Sequence, residues 1–119
     1  MRLRQRRQVA SGNVSAPAAK ELADSGALLL DVREPAEWRA GHAPGARHLP
    51  LGDLAANLGS LPRDRRVVVV CRSGNRSLRA TALLAQAGLD AVNLAGGMQA
   101  WTASGLPIES GPGRPGVVA

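Results

Sequence analysis

The chain has 119 residues, which is enough for one domain of ordinary size. Apolar residues make up 45% of it, but Phe and Tyr are absent and only two Trp occur, so we expect an aliphatic core and little capacity to stack on nucleic-acid bases. The formal net charge is +6, and no apolar run approaches the roughly 18 residues of a membrane-spanning helix, so we expect no membrane interaction.

Residues 1–12 are predicted to form a basic, disordered arm. Four of the 15 basic residues lie in its first seven positions, and the remaining 11 (15 − 4) nearly balance the nine acidic residues. A basic arm could also contact nucleic acid or anionic lipid, and an Arg-rich start without acidic residues also fits an organellar transit peptide. The residues that follow are too polar for the core of a secretory signal, so we expect a cytoplasmic protein.

Strands and helices are predicted to alternate through a single domain at residues 13–110. Ser15 is a candidate helix cap, and the continuous apolar run at 27–32 is typical of a strand buried on both faces. Further helices are predicted at 34–40, 51–58, 77–87 and 98–103, and further strands at 47–49, 67–71 and 91–94. This alternation favours an α/β fold with a largely parallel sheet, and the Gly/Pro-rich tail at 111–119 is predicted to be flexible.

Cys71 is the only cysteine, and it ends the clearest strand, 67–71. A lone thiol excludes an internal disulfide and a multi-cysteine metal site, so we expect no metal, and it favours a reducing compartment. In open α/β sheets, reactive groups gather beyond the carboxyl ends of the strands. Cys71 is therefore the candidate nucleophile, and the alternative is an inert cysteine that ends a core strand.

A short polar loop follows Cys71. Gly74 can adopt the left-handed conformation that a tight loop needs, and the bent backbone would direct several N–H groups towards the sulfur. A helix that begins near Ser77 would add the positive end of its dipole, and both features favour the nucleophilic thiolate. With Arg79 adding positive charge nearby, the residues predicted to hold a small anionic group are Arg72, Ser73, Gly74, Asn75, Arg76 and Ser77.

Three motifs resemble those of the rhodanese family of sulfurtransferases. The loop 71–77, CRSGNRS, is similar to the family's active-site loop, and segments 30–46 and 94–101 are similar to its two flanking signatures. The motifs stand in the family's order and spacing and cover roughly residues 13–110. The resemblance implies a rhodanese-like α/β fold, with a five-stranded, mainly parallel sheet flanked by helices on both faces and a persulfide formed on Cys71.

The resemblance also assigns roles to residues around the loop. It implies that Arg76 and the loop amides shape the site, and that Asp31 and Arg33 belong to a supporting polar network. The alternative for that pair is a buried structural ion pair. We expect His42 to belong to its turn and His48 to a strand edge, and neither to act as a general base. Core packing is the role predicted for Trp38, Met98 and Trp101.

The spacing of Cys71 and Arg76 separates two reactions. Related phosphatases of the same fold place their arginine one position further along, so that the loop wraps a full phosphate. The shorter loop here favours a sulfane sulfur over a phosphoryl group, and the loop holds no acid for an alkoxide leaving group.

The expected reaction is therefore a double displacement through a Cys71 persulfide. A small anionic donor such as thiosulfate, or a persulfide, supplies the sulfur, and cyanide, a thiol or a protein acceptor removes it. No cofactor is expected, and a preformed thiolate requires no general base. An alternative is a rhodanese-like sulfur-delivery or protein-binding module with little turnover of free thiosulfate.

Overall fold

The computed structural model describes residues 12–119, so nearly all of the predicted basic arm lies outside the described residues. In chain order the elements are β1 (Asn13–Val14), α1 (Ala16–Asp24), β2 (Leu28–Asp31), α2 (Pro35–Ala40), β3 (Arg47–His48), α3 (Leu51–Leu54), a 3-10 helix (Ala55–Ser60), β4 (Val67–Val70), α4 (Asn75–Gln86), β5 (Ala91–Leu94), α5 (Gly97–Ala103), β6 (Glu109–Gly111) and β7 (Arg114–Pro115).

The first five strands form one sheet in the order β1-β5-β4-β2-β3, and every neighbouring pair is parallel. The predicted α/β fold with a five-stranded sheet is thus confirmed. All residues of β2, β4 and β5 are buried, because helices cover both faces of the sheet. β4 is the middle strand, so the residue that follows it emerges at the centre of the sheet's carboxyl edge.

Two aliphatic clusters form the core, one on each face of the sheet. Side chains alternate between the faces along each strand, so Val67 and Val69 pack against α4, whereas Val68 and Val70 pack against α1 and α5. Met98 and Trp101 of α5 are buried in the second cluster, which confirms the core role predicted for them.

The C-terminal segment, which its composition predicts to be a flexible tail, contains two short strands. β6 and β7 pair as an antiparallel hairpin, with Gly113 in the left-handed conformation (φ 74°) between them. His42 and Glu109 form an antiparallel bridge, and the Val117 N–H donates to the carbonyl of Ala40 at 3.0 Å. These contacts are made by backbone groups, which every residue of the segment except its prolines retains although the segment offers few apolar side chains.

Within residues 12–119, no helix combines the length and apolarity that crossing a membrane requires. The same residues contain no cluster of three or more His, Cys, Asp or Glu side chains that could hold a metal ion.

Candidate active site

Cys71 directly follows β4, and its sulfur is enclosed by the loop and the first turn of α4. The thiol is 1% exposed. Its Sγ accepts hydrogen bonds from the N–H of Gly74 at 3.1 Å and from both the N–H and the hydroxyl of Ser77 at 3.3 Å. Gly74 has a φ of 108°, as the left-handed turn predicted for it requires. The loop therefore gathers donors around one sulfur atom.

The helix that follows begins earlier than predicted. α4 starts at Asn75, two positions before Ser77. The Ser77 N–H consequently lies in the first turn, where backbone N–H groups have no partner within the helix and are free to bind an anion.

The environment of the sulfur favours the thiolate. Burial raises the pKa of the Cys71 thiol, but hydrogen bonds from the Ser77 hydroxyl and from the N–H groups of Ser77, Gly74 and Ser73 lower it by more, so the pKa lies below its ordinary value. Thiolate is the nucleophilic form of cysteine.

A second segment fixes the backbone of the loop. The N–H groups of Met98 and Gln99 donate to the carbonyls of Cys71 and Arg72 at 2.8 and 3.0 Å. Gly97 precedes them with a φ of 58°, and a Cβ at this position would collide with the Cys71 carbonyl oxygen and the Arg72 backbone. The sequence predicted only a helix at 98–103 here, directly after Gly97. The structure shows that Gly97 also permits the approach of α5 to the nucleophile's loop.

Arg76 is held by a residue that the sequence did not single out. Its Nη1 and Nη2 donate to Oε1 and Oε2 of Glu37 at 2.7 and 2.8 Å, and Oε1 also accepts from the Glu34 N–H at 2.9 Å. The Arg76 hydrogen bonds are the main reason that the pKa of Glu37 falls to about 2. Glu37 in turn raises the pKa of Arg76 against the effect of burial, and Cys71 adds a smaller electrostatic contribution. The sequence offered one signal for this partner of Arg76: an acidic residue in the first turn of α2, inside the first flanking motif.

The other predicted loop residues lie at the surface. Arg72, Ser73 and Asn75 are exposed, and so is Arg79 one turn into α4. The Arg72 Nε donates to the carbonyl of Ala119 at 2.8 Å. Of these side chains none is brought into hydrogen-bond contact with the Cys71 sulfur; the loop reaches that sulfur through its backbone and Ser77.

Asp31 and Arg33 form a fully buried ion pair at the end of β2. The Nη2 of Arg33 lies 2.7 Å from Oδ2 of Asp31, both side chains are 0% exposed, and the same Nη2 donates to the carbonyl of Gly41 at 2.7 Å. This geometry ties the sheet to the end of α2, the helix that carries Glu37. The two residues thus form the buried structural ion pair that was the alternative to a polar network around the site. Their supporting role in catalysis remains a prediction.

The two histidines lie beside α2. Their rings stack with Trp38, at centroid distances of 3.6 Å for His42 and 4.8 Å for His48. Nδ1 of His42 lies 2.8 Å from the carbonyl oxygen of Trp38, and Nε2 of His48 lies 2.7 Å from that of Arg33. Each ring therefore has a backbone carbonyl oxygen as a hydrogen-bond partner.

Comparisons with known proteins identify the same family as the three sequence motifs. The rhodanese-like domain family model matches residues 15–104. The chain is 46% identical over 92 residues to a protein of Allochromatium vinosum named sulfurtransferase, a match that covers 76% of this chain and 86% of that protein. A putative sulfurtransferase of Bacillus subtilis is 38% identical over 96 residues, covering 79% of this chain and 93% of that protein.

Solved structures give the same result for the fold. The crystal structure of a rhodanese-related protein from Thermoplasma volcanium superimposes with a TM-score of 0.79 at 33% identity. The superposition covers 83% of this chain and 98% of that one.

Proposed function

The chain belongs to the rhodanese-like domain family, and from this membership and the Cys71 site we propose that it is a sulfurtransferase that carries sulfane sulfur on Cys71 as a persulfide. The observation that supports this most directly is the set of three hydrogen bonds to Sγ from Gly74 and Ser77. They stabilise an anion at this position, and both the thiolate and the persulfide are anions.

In the first half-reaction, the Cys71 thiolate attacks the outer sulfur of the donor. With thiosulfate, a new S–S bond forms at Sγ, the sulfur–sulfur bond of thiosulfate breaks, and sulfite leaves with the electron pair. A persulfide donor loses a thiolate in the same way. Charge is conserved in each case, and no proton transfer is required once the thiolate is present.

In the second half-reaction, an acceptor attacks the outer sulfur of the persulfide. Cyanide leaves as thiocyanate, whereas a thiolate leaves as a new persulfide, and the Cys71 thiolate is restored. The chain contains no second cysteine that could resolve the persulfide as a disulfide. The acceptor is therefore an external molecule, and a free thiol of this kind fits a reducing compartment such as the cytoplasm.

The size of the loop favours sulfur over phosphate. Arg76 follows Cys71 by five positions, and the donors at Gly74 and Ser77 already lie within 3.1 to 3.3 Å of Sγ. A cradle this close to the sulfur suits one added sulfur atom. We therefore assign the loop at residues 72–77 to holding the persulfide, through its backbone N–H groups and the Ser77 hydroxyl.

A second candidate function is delivery of sulfur to a protein. Leu78 lies in the first turn of α4, directly after the loop, and is 50% exposed. The exposed Arg79 follows it directly in the sequence, and the exposed Arg72 lies six positions before it. An exposed apolar side chain one position after Ser77, which contacts the sulfur, suits contact with a protein acceptor. In that case sulfur loads on Cys71, transfer to cyanide is slow, and transfer to the protein partner is fast.

Mass spectrometry of the intact protein tests the proposal. After treatment with thiosulfate or with the persulfide of 2-mercaptoethanol, in separate reactions without reductant, we expect the mass to increase by one sulfur atom. Cys71→Ser should show no increase, and later addition of cyanide should remove the sulfur from the wild-type protein. An unchanged mass with both donors would refute the proposal.

A further inference from the structure

The Glu37–Arg76 ion pair determines how much positive charge the site offers to a substrate. Both terminal nitrogens of the guanidinium donate to the Glu37 carboxylate, at 2.7 and 2.8 Å. Paired charge-assisted bonds of this kind are strong and directional. For Arg76 to bind the oxygens of a donor, it would have to give up these bonds.

Glu37 is itself fixed in place. Its Oε1 also accepts the Glu34 N–H at the start of α2, and its side chain is only 18% exposed. Its pKa of about 2 keeps the carboxylate charged at neutral pH. The negative charge is therefore a permanent part of the site.

The charges near the sulfur then leave a negative balance. The Cys71 thiolate and Glu37 carry one negative charge each, and Arg76 carries one positive charge. Arg72 and Arg79 are both exposed, so solvent and salt screen their charges. Thiosulfate, a dianion, approaches a net negative centre, whereas a persulfide with an uncharged organic group brings less charge to it.

We propose that Glu37 is a specificity-determining residue: by neutralising Arg76 it makes the site favour thiol persulfides with uncharged organic groups over dianionic inorganic donors. The choice of donor rests on the proposed sulfurtransferase function. The charge preference itself does not, because any reagent that attacks or is attacked by Cys71 reports it.

Alkylation of Cys71 by two reagents of similar size measures this preference. Iodoacetate is an anion and iodoacetamide is neutral, so the ratio of their rate constants reports the local potential and cancels changes in the thiolate fraction. For Glu37→Gln we expect the iodoacetate-to-iodoacetamide ratio to rise roughly threefold to tenfold at low ionic strength and the rise to shrink in high salt.

Two further variants separate charge from packing. Glu21→Gln makes the same chemical change on the exposed face of α1, near the opposite end of the sheet, and should leave the ratio within about twofold of wild type. Glu37→Asp keeps the charge and should also leave the ratio within about twofold. An unchanged ratio in Glu37→Gln, or an equal rise in Glu37→Asp, would overturn the proposal.

Steady-state kinetics test the consequence for substrates. The ratio of kcat/KM for thiosulfate to kcat/KM for 2-mercaptoethanol persulfide should rise in Glu37→Gln, chiefly through a lower KM for thiosulfate. A ratio that does not rise overturns the assignment of donor preference. A changed alkylation ratio in a protein that loads no sulfur would instead refute the sulfurtransferase function and leave the charge effect standing.

Discussion

Ser77 contributes two hydrogen bonds to one atom: its N–H and its hydroxyl each lie 3.3 Å from the sulfur of Cys71. The serine side chain is fully buried, so its hydroxyl is directed to the thiolate and not to solvent. Both groups come from the first turn of α4, which begins at Asn75. Ser77 therefore links the first turn of α4 to the nucleophile by two hydrogen bonds.

Replacing this hydroxyl should make Cys71 less reactive. In Ser77→Ala the N–H donors remain, but the thiolate loses a donor that lowers its pKa, so the pKa of Cys71 rises. Below that pKa we expect iodoacetamide alkylation to slow by about threefold to tenfold, with the same limiting rate at high pH. Alkylation rate against pH measures this. Ser73→Ala removes an exposed hydroxyl from the same loop and should leave the profile in place. An identical midpoint in Ser77→Ala and wild type would contradict the assignment.

The Glu37–Arg76 ion pair should make the free energy of unfolding depend on pH in the acidic range. The pKa of Glu37 is lowered from 4.5 to about 2 in the folded protein, so its contribution is complete above pH 4.5 and is lost as the pH falls towards 2. We expect Glu37→Gln to lower the free energy of unfolding by about 1–2 kcal/mol at pH 7, since the pair is partly exposed.

Urea denaturation at pH 7, 5 and 3 measures this, with Glu21→Gln as the control. The difference between wild type and Glu37→Gln should be smaller at pH 3 than at pH 7. A difference of constant size would show that the carboxylate charge does not contribute.

Gly97 should tolerate no side chain. A Cβ there would meet the backbone of Cys71 and Arg72, at a φ of 58° that is already unfavourable for other residues. We expect Gly97→Ala to destabilise the domain by about 2–4 kcal/mol and to alter the alkylation rate of Cys71. Gly105 has a φ of 75° but open space around it, so Gly105→Ala carries the conformational cost alone, about 1 kcal/mol. Equal losses of stability in the two variants, with Cys71 reactivity unchanged, would rule out the collision.

The buried ion pair Asp31–Arg33 should contribute more to the free energy of unfolding than an exposed ion pair does. Asp31→Ala leaves an uncompensated arginine with 0% exposure, and we expect a loss of about 3–5 kcal/mol in the free energy of unfolding. Asp24→Ala breaks an ion pair with Lys20 on the surface of α1 and should cost less than about 1 kcal/mol. Chemical denaturation compares them. Similar losses in the two variants would mean that burial of Asp31 adds nothing.

The sequence predicts the features of the site that are local in the chain. A buried valine strand, a cysteine at its end and a glycine three positions later define the loop, and the structure has Cys71 and Gly74 as expected. Glu37 was missed because its partner Arg76 is 39 positions away, and no local pattern links them. Gly97 was missed in its second role for the same reason, since its restriction comes from the backbone of another segment.

The C-terminal hairpin shows a different limit of sequence patterns. Its pairing with residues after α2 uses backbone N–H and carbonyl groups, those of Glu109 and His42. Every residue type except proline carries both groups, so composition does not distinguish a segment that pairs from one that remains free.

The burial of Cys71 distinguishes its own Sγ, which stays with the protein, from the added sulfur of a persulfide, which is transferred. Cys71 is 1% exposed, so little of the thiol is accessible to any reagent in solution, an oxidant included. In a persulfide the added sulfur lies one S–S bond, about 2 Å, beyond Sγ, and it is the atom that an acceptor attacks. In such a carrier the cysteine sulfur would be less accessible than the sulfur it carries. The persulfide form would therefore react more readily with reagents in solution than the free thiol form.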